Sequence, residues 1–367
     1  MPYLFNRNHR GVPGFLALCG LTIFVASCSD SAQPAGPSEP ALSVSTNSTV
    51  IDLGTLNSTG SSASGINNQG KVVGTSAVFS QGYTNASHAF LWQSGQMTDL
   101  GTLGGRSSAG SAINNNGWIV GWAHTPSNLQ HASLWKPGSP AQDLGTIAGT
   151  SSIAYGLNNK GQIVGQSTWA GQSVRAFVWQ NGTMTNLGVL TGGDWSVAQA
   201  INDSGLIVGQ SSTSIGGIHA VVWRNGVIKD IGVLPGVNPA SRTSVAYGVN
   251  NKGEVVGYSD LPGGTRHMFL WKQGQGMKDL GAPSGSTAEA RAINENSQVV
   301  GYATLPGQFA HAFLLDKGIF TDLGTLPTGN VSSAAAINLG GTVVGSSNKR
   351  KPNSSNHETH AALWTTP

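Results

Sequence analysis

Residues 88–105 read HAFLWQSGQMTDLGTLGG, and related versions of this stretch return along the whole chain. They include HASLWKPGSPAQDLGTIAG at 131–149, RAFVWQNGTMTNLGVLTGG at 175–193 and HAVVWRNGVIKDIGVLPG at 219–236. Aligned on the DLG-type triplet, the chain has seven copies, which start at Asp52, Asp99, Asp143, Asn186, Asp230, Asp279 and Asp322. The spacing of 43 to 49 residues, without long helix-forming runs, is typical of propeller blades rather than of helical repeats.

Each repeat contains four short strand signals separated by turn residues. The first ends in an apolar residue and Asn, the second ends in IVG or VVG, the third is the HAFLW segment and the fourth is MTDLGTL. A glycine precedes the second strand, as a tight hairpin requires, but Ser297 takes this place in the sixth repeat and predicts a different turn there. A further glycine closes the second strand in every repeat and predicts a bulge or a close backbone approach.

The two ends of the repeat region complement each other. The region starts with a lone fourth strand, TVIDLGTL at 49–56, and finishes with a third strand, HAALWTTP at 360–367. The N-terminal strand can therefore complete the last blade and protect the edges of the sheets. The sequence predicts an all-β fold, a seven-bladed β-propeller with four antiparallel strands per blade, in which the small residues of each first strand line the crowded centre.

The N-terminal segment has the features of a targeting signal. Arg7 and Arg10 precede an apolar run that is too short to span a bilayer comfortably and ends in VASC, with Cys28 last. This ending resembles a bacterial lipobox, which implies cleavage before Cys28 and lipidation of that residue; an ordinary secretory signal is the alternative. We expect a signal peptide at 1–27, a lipidated flexible tether at 28–48 and the propeller at 49–367. By resemblance to sorted lipoproteins, Ser29 favours the outer membrane of a Gram-negative bacterium.

The repeat unit itself, HAFLWQ-G-MTDLGTLGG followed by AINN-G-IVG, resembles the extracellular HAF repeat, named for its His-Ala-Phe. The resemblance covers essentially everything after residue 49. It implies a secreted bacterial repeat protein, and it implies no established reaction.

Residues that recur in nearly every repeat are expected to hold the blades together. The HAF histidines are His88, His131, His219, His267, His311 and His360, with Arg175 in the third repeat. Sevenfold placement spreads these side chains around the ring, whereas a metal ion needs three or four converging ligands. We therefore expect hydrogen bonds, for example to a carbonyl of a neighbouring turn, and no metal site. The recurring tryptophans, the DLG acids and the first Asn of each AINN are likewise expected to be structural.

Function should then lie where the repeats differ, because binding residues concentrate on loops held by a rigid scaffold. The loops between second and third strands and the connections between blades vary in length and should share one face. The candidate ligand-binding residues are Asp194 and Trp195 in a connection, Trp169 in a second-to-third loop, and Trp122 and His124 where a second strand ends. A second set, Tyr155, Gln199, Tyr247 and Arg291, occupies the most variable position of the first strand and is predicted to line the central channel.

The sequence contains no common catalytic, nucleotide-binding or calcium-binding motif and indicates no cofactor. Of its few acidic residues, Asp194, Asp203, Asp260 and Glu289 lie outside the DLG positions, and nothing shows that two of them meet. The net charge of +3 is small, and the one basic cluster, Lys349–Lys351, is expected in a solvated loop tip, so nucleic acid is not an expected partner.

Three functions remain open from the sequence. The first is a monomeric, surface-tethered binding module for a polysaccharide, a cell-wall component or a protein. The second is a carbohydrate-active or ester-cleaving enzyme on the same face, which needs ionisable groups that converge. The third is a purely structural envelope protein, which predicts a face without a pocket or an aromatic cluster.

Overall fold

The computed structural model describes residues 41–44, 48–80, 83–169, 173–236, 238, 242–283, 287–304, 307, 309–351 and 354–365. The predicted signal peptide, Cys28 and most of the tether lie outside this range. The described residues belong to one compact unit, Pro37–Pro367. No helix long and apolar enough to cross a membrane occurs in this part of the chain.

Seven antiparallel sheets form the blades, as the repeats predict, and blades 1 to 5 follow the chain without a crossover. Blade 1 contains β3 (Ser61–Ile66), β4 (Val72–Ser80), β5 (Tyr83–Gln93) and β6 (Gln96–Asp99). Blade 2 contains β7 (Ser108–Ile113), β8 (Ile119–His124), β9 (Gln130–Trp135) and β10 (Gln142–Asp143). Blade 3 contains β11 (Ser152–Leu157), β12 (Ile163–Thr168), β13 (Val174–Gln180) and β14 (Thr183–Asn186).

The later blades repeat this order. Blade 4 contains β15 (Ser196–Ile201), β16 (Ile207–Ser212), β17 (Ile218–Arg224) and β18 (Val227–Gly232), and blade 5 contains β19 (Ser244–Val249), β20 (Val255–Asp260), β21 (Arg266–Lys272) and β22 (Gly276–Gly281). Blade 6 contains β23 (Ala288–Ile293), β24 (Val299–Thr304), β25 (Ala310–Asp316) and β26 (Ile319–Gly324). Blade 7 contains β27 (Ser332–Ile337), β28 (Val343–Arg350), β29 (His357–Thr365) and the N-terminal β2 (Thr49–Asp52).

The N-terminal strand closes the ring as predicted. β2 pairs antiparallel with β29, and Thr49 to Asp52 lie opposite Thr365 to Ala362. Asp52 also accepts hydrogen bonds from His360 at 2.8 Å and from Lys349 at 2.8 Å. Lys349 lies in β28 and forms an ion pair with Asp52. The prediction that it belongs to a solvated loop tip is therefore wrong for this residue.

One further strand was not predicted. β1 (Ala41–Val44) pairs in parallel with β26 and adds a fifth strand to the outer edge of blade 6. It lies within the segment that the sequence assigns to the tether, where the composition gives no strand signal.

The glycine that forms the third residue of each second strand permits a close backbone approach. In all seven blades the first strand bulges opposite this glycine, for example between Ala198 and Ala200 opposite Gly209. A Cβ atom on Gly209 would lie 2.0 Å from the carbonyl oxygen of Val197, and the corresponding distance is 1.8 to 2.0 Å in the other blades. Both halves of the sequence prediction, the bulge and the close approach, are therefore confirmed.

The sixth hairpin does not have a different turn, so that prediction is wrong. Ser297 adopts the left-handed conformation of the glycines at the same position, with φ of 63°, and its N–H donates to the Asn294 carbonyl as theirs do. The Ser297 hydroxyl also donates to Glu254 of the preceding blade at 2.6 Å. This bond offsets part of the conformational cost of a side chain at positive φ.

The core lies between neighbouring blades. The HAF phenylalanines Phe90, Phe177, Phe269 and Phe313 are fully buried, as are the tryptophans Trp223 and Trp364. The indole of Trp223 also donates to the carbonyl of Leu187 in the preceding blade at 2.9 Å. The recurring tryptophans are therefore packing residues, as predicted, and the buried HAF phenylalanines add to the same core.

The first Asn of each AINN forms a hydrogen-bonded belt that runs once around the ring. Each side-chain amide donates to the backbone carbonyl of its counterpart in the next blade, from Asn67 through Asn114, Asn158, Asn202, Asn250, Asn294 and Asn338 back to Asn67, at 2.9 to 3.3 Å. Each side-chain oxygen accepts backbone N–H groups of its own turn, as at Asn116 and Trp118 for Asn114. The belt thus joins all seven blades and the two ends of the repeat region.

Candidate functional site

The HAF histidines and the DLG aspartates pair within six of the seven blades. His88 bonds Asp99 at 2.7 Å, and the five other histidines bond the aspartate of their own blade at 2.7 to 3.0 Å. In the third blade both partners change, because Arg175 and Asn186 replace them, and Arg175 donates instead to the backbone carbonyl of Asp194. His88 also bonds the backbone of Arg106 in the next connection. These contacts give the histidines a structural role, and no group of three potential ligands in the described residues could hold a metal ion.

The variable loops lie side by side on one face, which we call the loop face. There the connection that enters a blade bonds the last residues of that blade's second strand: the N–H of Phe79 in β4 donates to Asn57, and that of Arg350 in β28 donates to Thr328. The Asn belt lies at the other ends of the first strands, on what we call the Asn face. The AINN side chains there border a cavity of ≈ 260 Å³.

Asp194 and Trp195 lie in the connection between β14 and β15 on the loop face. Their backbone N–H groups donate to the hydroxyl of Ser212 at 2.7 and 3.1 Å, which fixes the connection against blade 4. Asp194 is exposed and Trp195 is half-buried. Both side chains are therefore displayed on a constrained segment rather than on a free loop.

Trp169, Trp122 and His124 lie on two other blades. Trp169 follows β12, and its N–H donates to the Ser173 carbonyl at 2.7 Å. Trp122 and His124 lie on β8 with ring centroids 5.2 Å apart. Burial and the positive charge of Arg106 lower the pKa of His124. No ring contact in the described part of the chain joins Trp195 to Trp169 or Trp122, so the predicted loop aromatics form no single cluster there.

The second predicted set does come together. Tyr155, Gln199, Tyr247 and Arg291 line one cavity of ≈ 360 Å³ in the central channel. The equivalent first-strand residues of blades 7, 1 and 2 are the small Ala335, Ser64 and Ser111, which line the same cavity. Four consecutive blades therefore contribute large polar side chains, and the other three leave the space open. We call this cavity the channel pocket.

An ion-pair cluster supports the wall of the channel pocket at blades 5 and 6. The carboxylate of Glu289, only 1 % exposed, pairs with Arg266 on one side and with Arg291 at 2.8 Å on the other. Arg266 also pairs with Asp260 at 3.2 Å. Two of the four acids for which the sequence indicated no contact, Asp260 and Glu289, thus meet on the guanidinium group of Arg266. The two negative charges of these acids and the two positive charges of Arg266 and Arg291 cancel. Because both carboxylates are engaged by arginine, the arrangement favours positioning over proton transfer.

Three tyrosines pack against these arginines. The Arg291 guanidinium lies 4.2 Å from the ring centre of Tyr247 and 5.4 Å from that of Tyr302. Arg266 lies 4.4 Å from the ring of Tyr258. Burial raises the pKa of Tyr258 to about 12 and also raises the pKa of Tyr247, so these hydroxyls stay protonated at neutral pH. The cluster therefore offers neutral phenol groups and stacked cations.

Three residues of the cluster that supports this wall, Arg266, Tyr258 and Tyr302, were not predicted from the sequence. Tyr258 and Tyr302 follow the closing glycine of the second strand, at the position where blade 2 has Trp122. This position varies between repeats in the same way as the Tyr155 position. If the positions of the second strand that vary between repeats had also been taken as candidate functional positions, Tyr258 and Tyr302 would have been predicted.

Comparisons with solved structures agree on the fold. The chain is similar to the β-propeller domain of the Trilobed protease from Pyrococcus furiosus, with a TM-score of 0.57, 8% identity and coverage of 83% of this chain and 95% of that one. That domain is described as having an open velcro topology, whereas here β2 pairs with β29. The chain is also similar to a puromycin-hydrolyzing peptidase from Mycobacterium tuberculosis, with a TM-score of 0.56, 12% identity and coverage of 79% of this chain.

An acylaminoacyl peptidase from Pyrococcus horikoshii gives a TM-score of 0.51 at 10% identity over 83% of this chain. The chain spans only 50% and 51% of the length of these two peptidases. At these identities the likeness shows the propeller fold alone. No family model and no curated protein matches the chain.

Proposed function

We propose that this protein is an extracytoplasmic binding module of the HAF-repeat type, tethered to a membrane through lipid on Cys28. It presents the loop face and the channel pocket to a ligand of the cell envelope or its surroundings. The observation that carries the proposal is the division of the repeat. Recurring residues make the blade contacts, whereas the residues that differ between blades line a cavity or stand on the loop face.

The pocket wall supports binding rather than a purely structural role. A scaffold that only fills space has no need for four different large side chains at one symmetry-equivalent position. Tyr155, Gln199, Tyr247 and Arg291 all carry polar groups and two of them are aromatic, so the wall combines ring surface with hydrogen-bonding groups of the kind that orient a ligand in a pocket. The pairing of Arg291 with the buried Glu289, and the contact of its guanidinium with the ring of Tyr247, hold these two side chains in place before any ligand arrives.

The binding experiment uses the purified full-length protein in detergent on an array of envelope polysaccharides, cell-wall fragments and envelope proteins. Trp195→Ala and Arg291→Ala change the loop face and the channel pocket. Leu339→Ala, at an exposed residue of the Asn face, is the matched control. We expect the first two variants to weaken binding to the retained array component and the control to leave it unchanged. The proposal is contradicted if neither Trp195→Ala nor Arg291→Ala weakens binding, or if Leu339→Ala weakens binding as much as they do.

The tether is tested separately by cell fractionation. Wild-type protein is expected in the membrane fraction, and Cys28→Ala should move the protein to the soluble fraction or retain its uncleaved signal. If Cys28→Ala has the same processing and distribution as wild type, lipid on Cys28 is not the anchor.

A further inference from the structure

The channel pocket is asymmetric about the propeller axis. Large side chains come from blades 3 to 6, and small ones from blades 7, 1 and 2. In a ring of seven equivalent positions, this distribution displaces the open space from the axis toward Ser64 and Ser111. The result is a pocket in which one wall carries large polar side chains and the opposite wall carries only small ones, rather than a symmetric pore.

The pocket lies on the loop-face side of the Asn belt. Its lining includes Ser333 and Ala334, which precede Ala335 on β27 toward the loop face. The belt residues border the separate cavity at the Asn face. A ligand therefore reaches the pocket from the loop face, through the mouth that the variable connections surround.

The wall chemistry selects a neutral, hydroxyl-rich ligand. Tyr155 and Tyr247 border the pocket with ring atoms, with Arg291 lying over one face of Tyr247, while Gln199 and the phenol groups offer donors and acceptors. Arg291 is already paired with buried Glu289, and the charges of this cluster cancel. An anionic ligand would have to compete with a buried carboxylate for the guanidinium, whereas a neutral ligand leaves the ion pairs intact.

From these features we infer that the channel pocket binds the end of a neutral carbohydrate chain, inserted from the loop face with a sugar ring against the Tyr155–Tyr247 wall. A pyranose ring has the required combination of an apolar C–H face and a rim of hydroxyl groups. The cavity of ≈ 360 Å³ is at the small end of ligand pockets, which suits a chain end rather than a long segment. The seven first strands surround the pocket, so the middle of a polymer cannot enter sideways. The inference rests on the proposed binding function and names its ligand class.

The test fills the open half of the pocket without touching the functional wall. Ser111→Phe and Ser64→Phe each place a ring in the space beside the small residues, on two different blades. Leu339→Trp is the matched control, since it adds a ring at the opposite mouth of the channel. Denaturant unfolding of each variant verifies that it is folded. Because two positions are used for blocking, the test can still be made if one of the two variants does not fold.

The probes are short neutral oligosaccharides built from glucose, galactose, mannose, xylose and N-acetylglucosamine, their uronic-acid counterparts, and cyclic glucans, which have no chain end. We expect a linear neutral oligosaccharide to bind the full-length protein in calorimetric titration. Its affinity should fall about tenfold or more in both blocking variants and remain unchanged in Leu339→Trp. The cyclic glucans and the uronic-acid chains should bind more weakly than their linear neutral counterparts.

Other outcomes overturn the inference and show whether the binding function survives. If the oligosaccharide binds both blocked variants as well as wild type, the sugar site lies elsewhere on the loop face. If only anionic or cyclic chains bind, the ligand class is wrong. If no oligosaccharide binds but an envelope component is retained in a Trp195-dependent manner, the inference fails and the proposed function stands. If neither binds, both fail.

Discussion

Replacing one member of the Asn belt should cost far more stability than replacing the asparagine beside it. Asn114 is buried, donates to the Asn158 carbonyl at 3.0 Å, and accepts from the N–H groups of Asn116 and Trp118 at 3.0 and 2.9 Å. Asn114→Ala removes three hydrogen bonds and leaves their backbone partners without a replacement. At about 1 kcal/mol net per bond, the expected loss in the free energy of unfolding is about 3 kcal/mol.

The neighbouring Asn115 is the matched control, because it is exposed and its side-chain oxygen accepts one hydrogen bond, from the N–H of Asn68 at 3.0 Å. Asn115→Ala should cost about 1 kcal/mol or less, since water replaces an exposed bond. Equilibrium unfolding in urea, with wild type and both variants at one pH, measures the difference. Equal losses for Asn114→Ala and Asn115→Ala would refute the view that the belt joins the blades.

Three further predictions concern other recurring contacts. Gly209→Ala should destabilise the protein by about 3 kcal/mol, because its Cβ would strike a backbone carbonyl, whereas Gly60→Ala has room and should cost under about 1 kcal/mol in the same urea assay. The hydrogen bond to Asp99 raises the pKa of His88, although burial lowers it. The stability that this bond gives to the folded protein is therefore complete below the pKa of an unfolded histidine, about 6.5, and is lost as the pH rises through the raised pKa of the folded state. Arg175→His and Asn186→Asp should each gain nothing alone but stabilise together, with a coupling of about 1 kcal/mol in a double-mutant cycle.

Each of these predictions has a contradicting result. Equal effects of the two alanine substitutions at glycine would show that the bulge can relax. A His88→Gln variant whose stability declines between pH 6 and 9 as much as that of wild type would remove His88 as a source of the pH dependence. Strict additivity of the two third-blade substitutions would show that the histidine and aspartate positions act independently.

Closure of the ring also depends on pH, with the opposite sign. Hydrogen bonds from His360 and Lys349 hold the pKa of Asp52 well below its ordinary range, although burial alone would raise it. The stabilisation is present above the pKa of an unfolded aspartate, about 4, and is lost as the pH falls toward the lowered value. Asp52→Asn should therefore flatten the acid limb of the stability profile, and an unchanged acid limb would show that the ends of the repeat region are held by backbone pairing alone.

Closure could be predicted from sequence because it rests on local patterns. A lone DLG strand at one end and an HAF strand without its DLG at the other specify complementary halves of one blade. The bulge glycines were also predictable, since a glycine at a fixed place inside a strand pattern usually marks a bulge or a close backbone approach. The four channel residues could be named because Tyr155, Gln199, Tyr247 and Arg291 differ where their repeats otherwise agree.

The remaining features depend on neighbours that only the folded ring brings together. The belt joins Asn67 to Asn114 across two blades, and no local pattern in either turn indicates a partner 47 residues away. The pairing of Glu289 with Arg266 likewise crosses from blade 6 to blade 5. The prediction for the Ser297 turn was wrong because local propensity does not include the hydroxyl bond to Glu254 that stabilises its left-handed backbone.

Recurring residues hold the ring together, and on the proposed function the varied residues bind the ligand. Tyr155→Ala and Asn158→Ala test this division most directly, because the two positions lie three residues apart in the same blade, one beside the channel pocket and the other in the belt. Measured together, oligosaccharide affinity should fall about tenfold or more in Tyr155→Ala and stay unchanged in folded Asn158→Ala, while stability should fall more in Asn158→Ala. Unchanged affinity in Tyr155→Ala, or an equal loss of affinity in Asn158→Ala, would contradict the division.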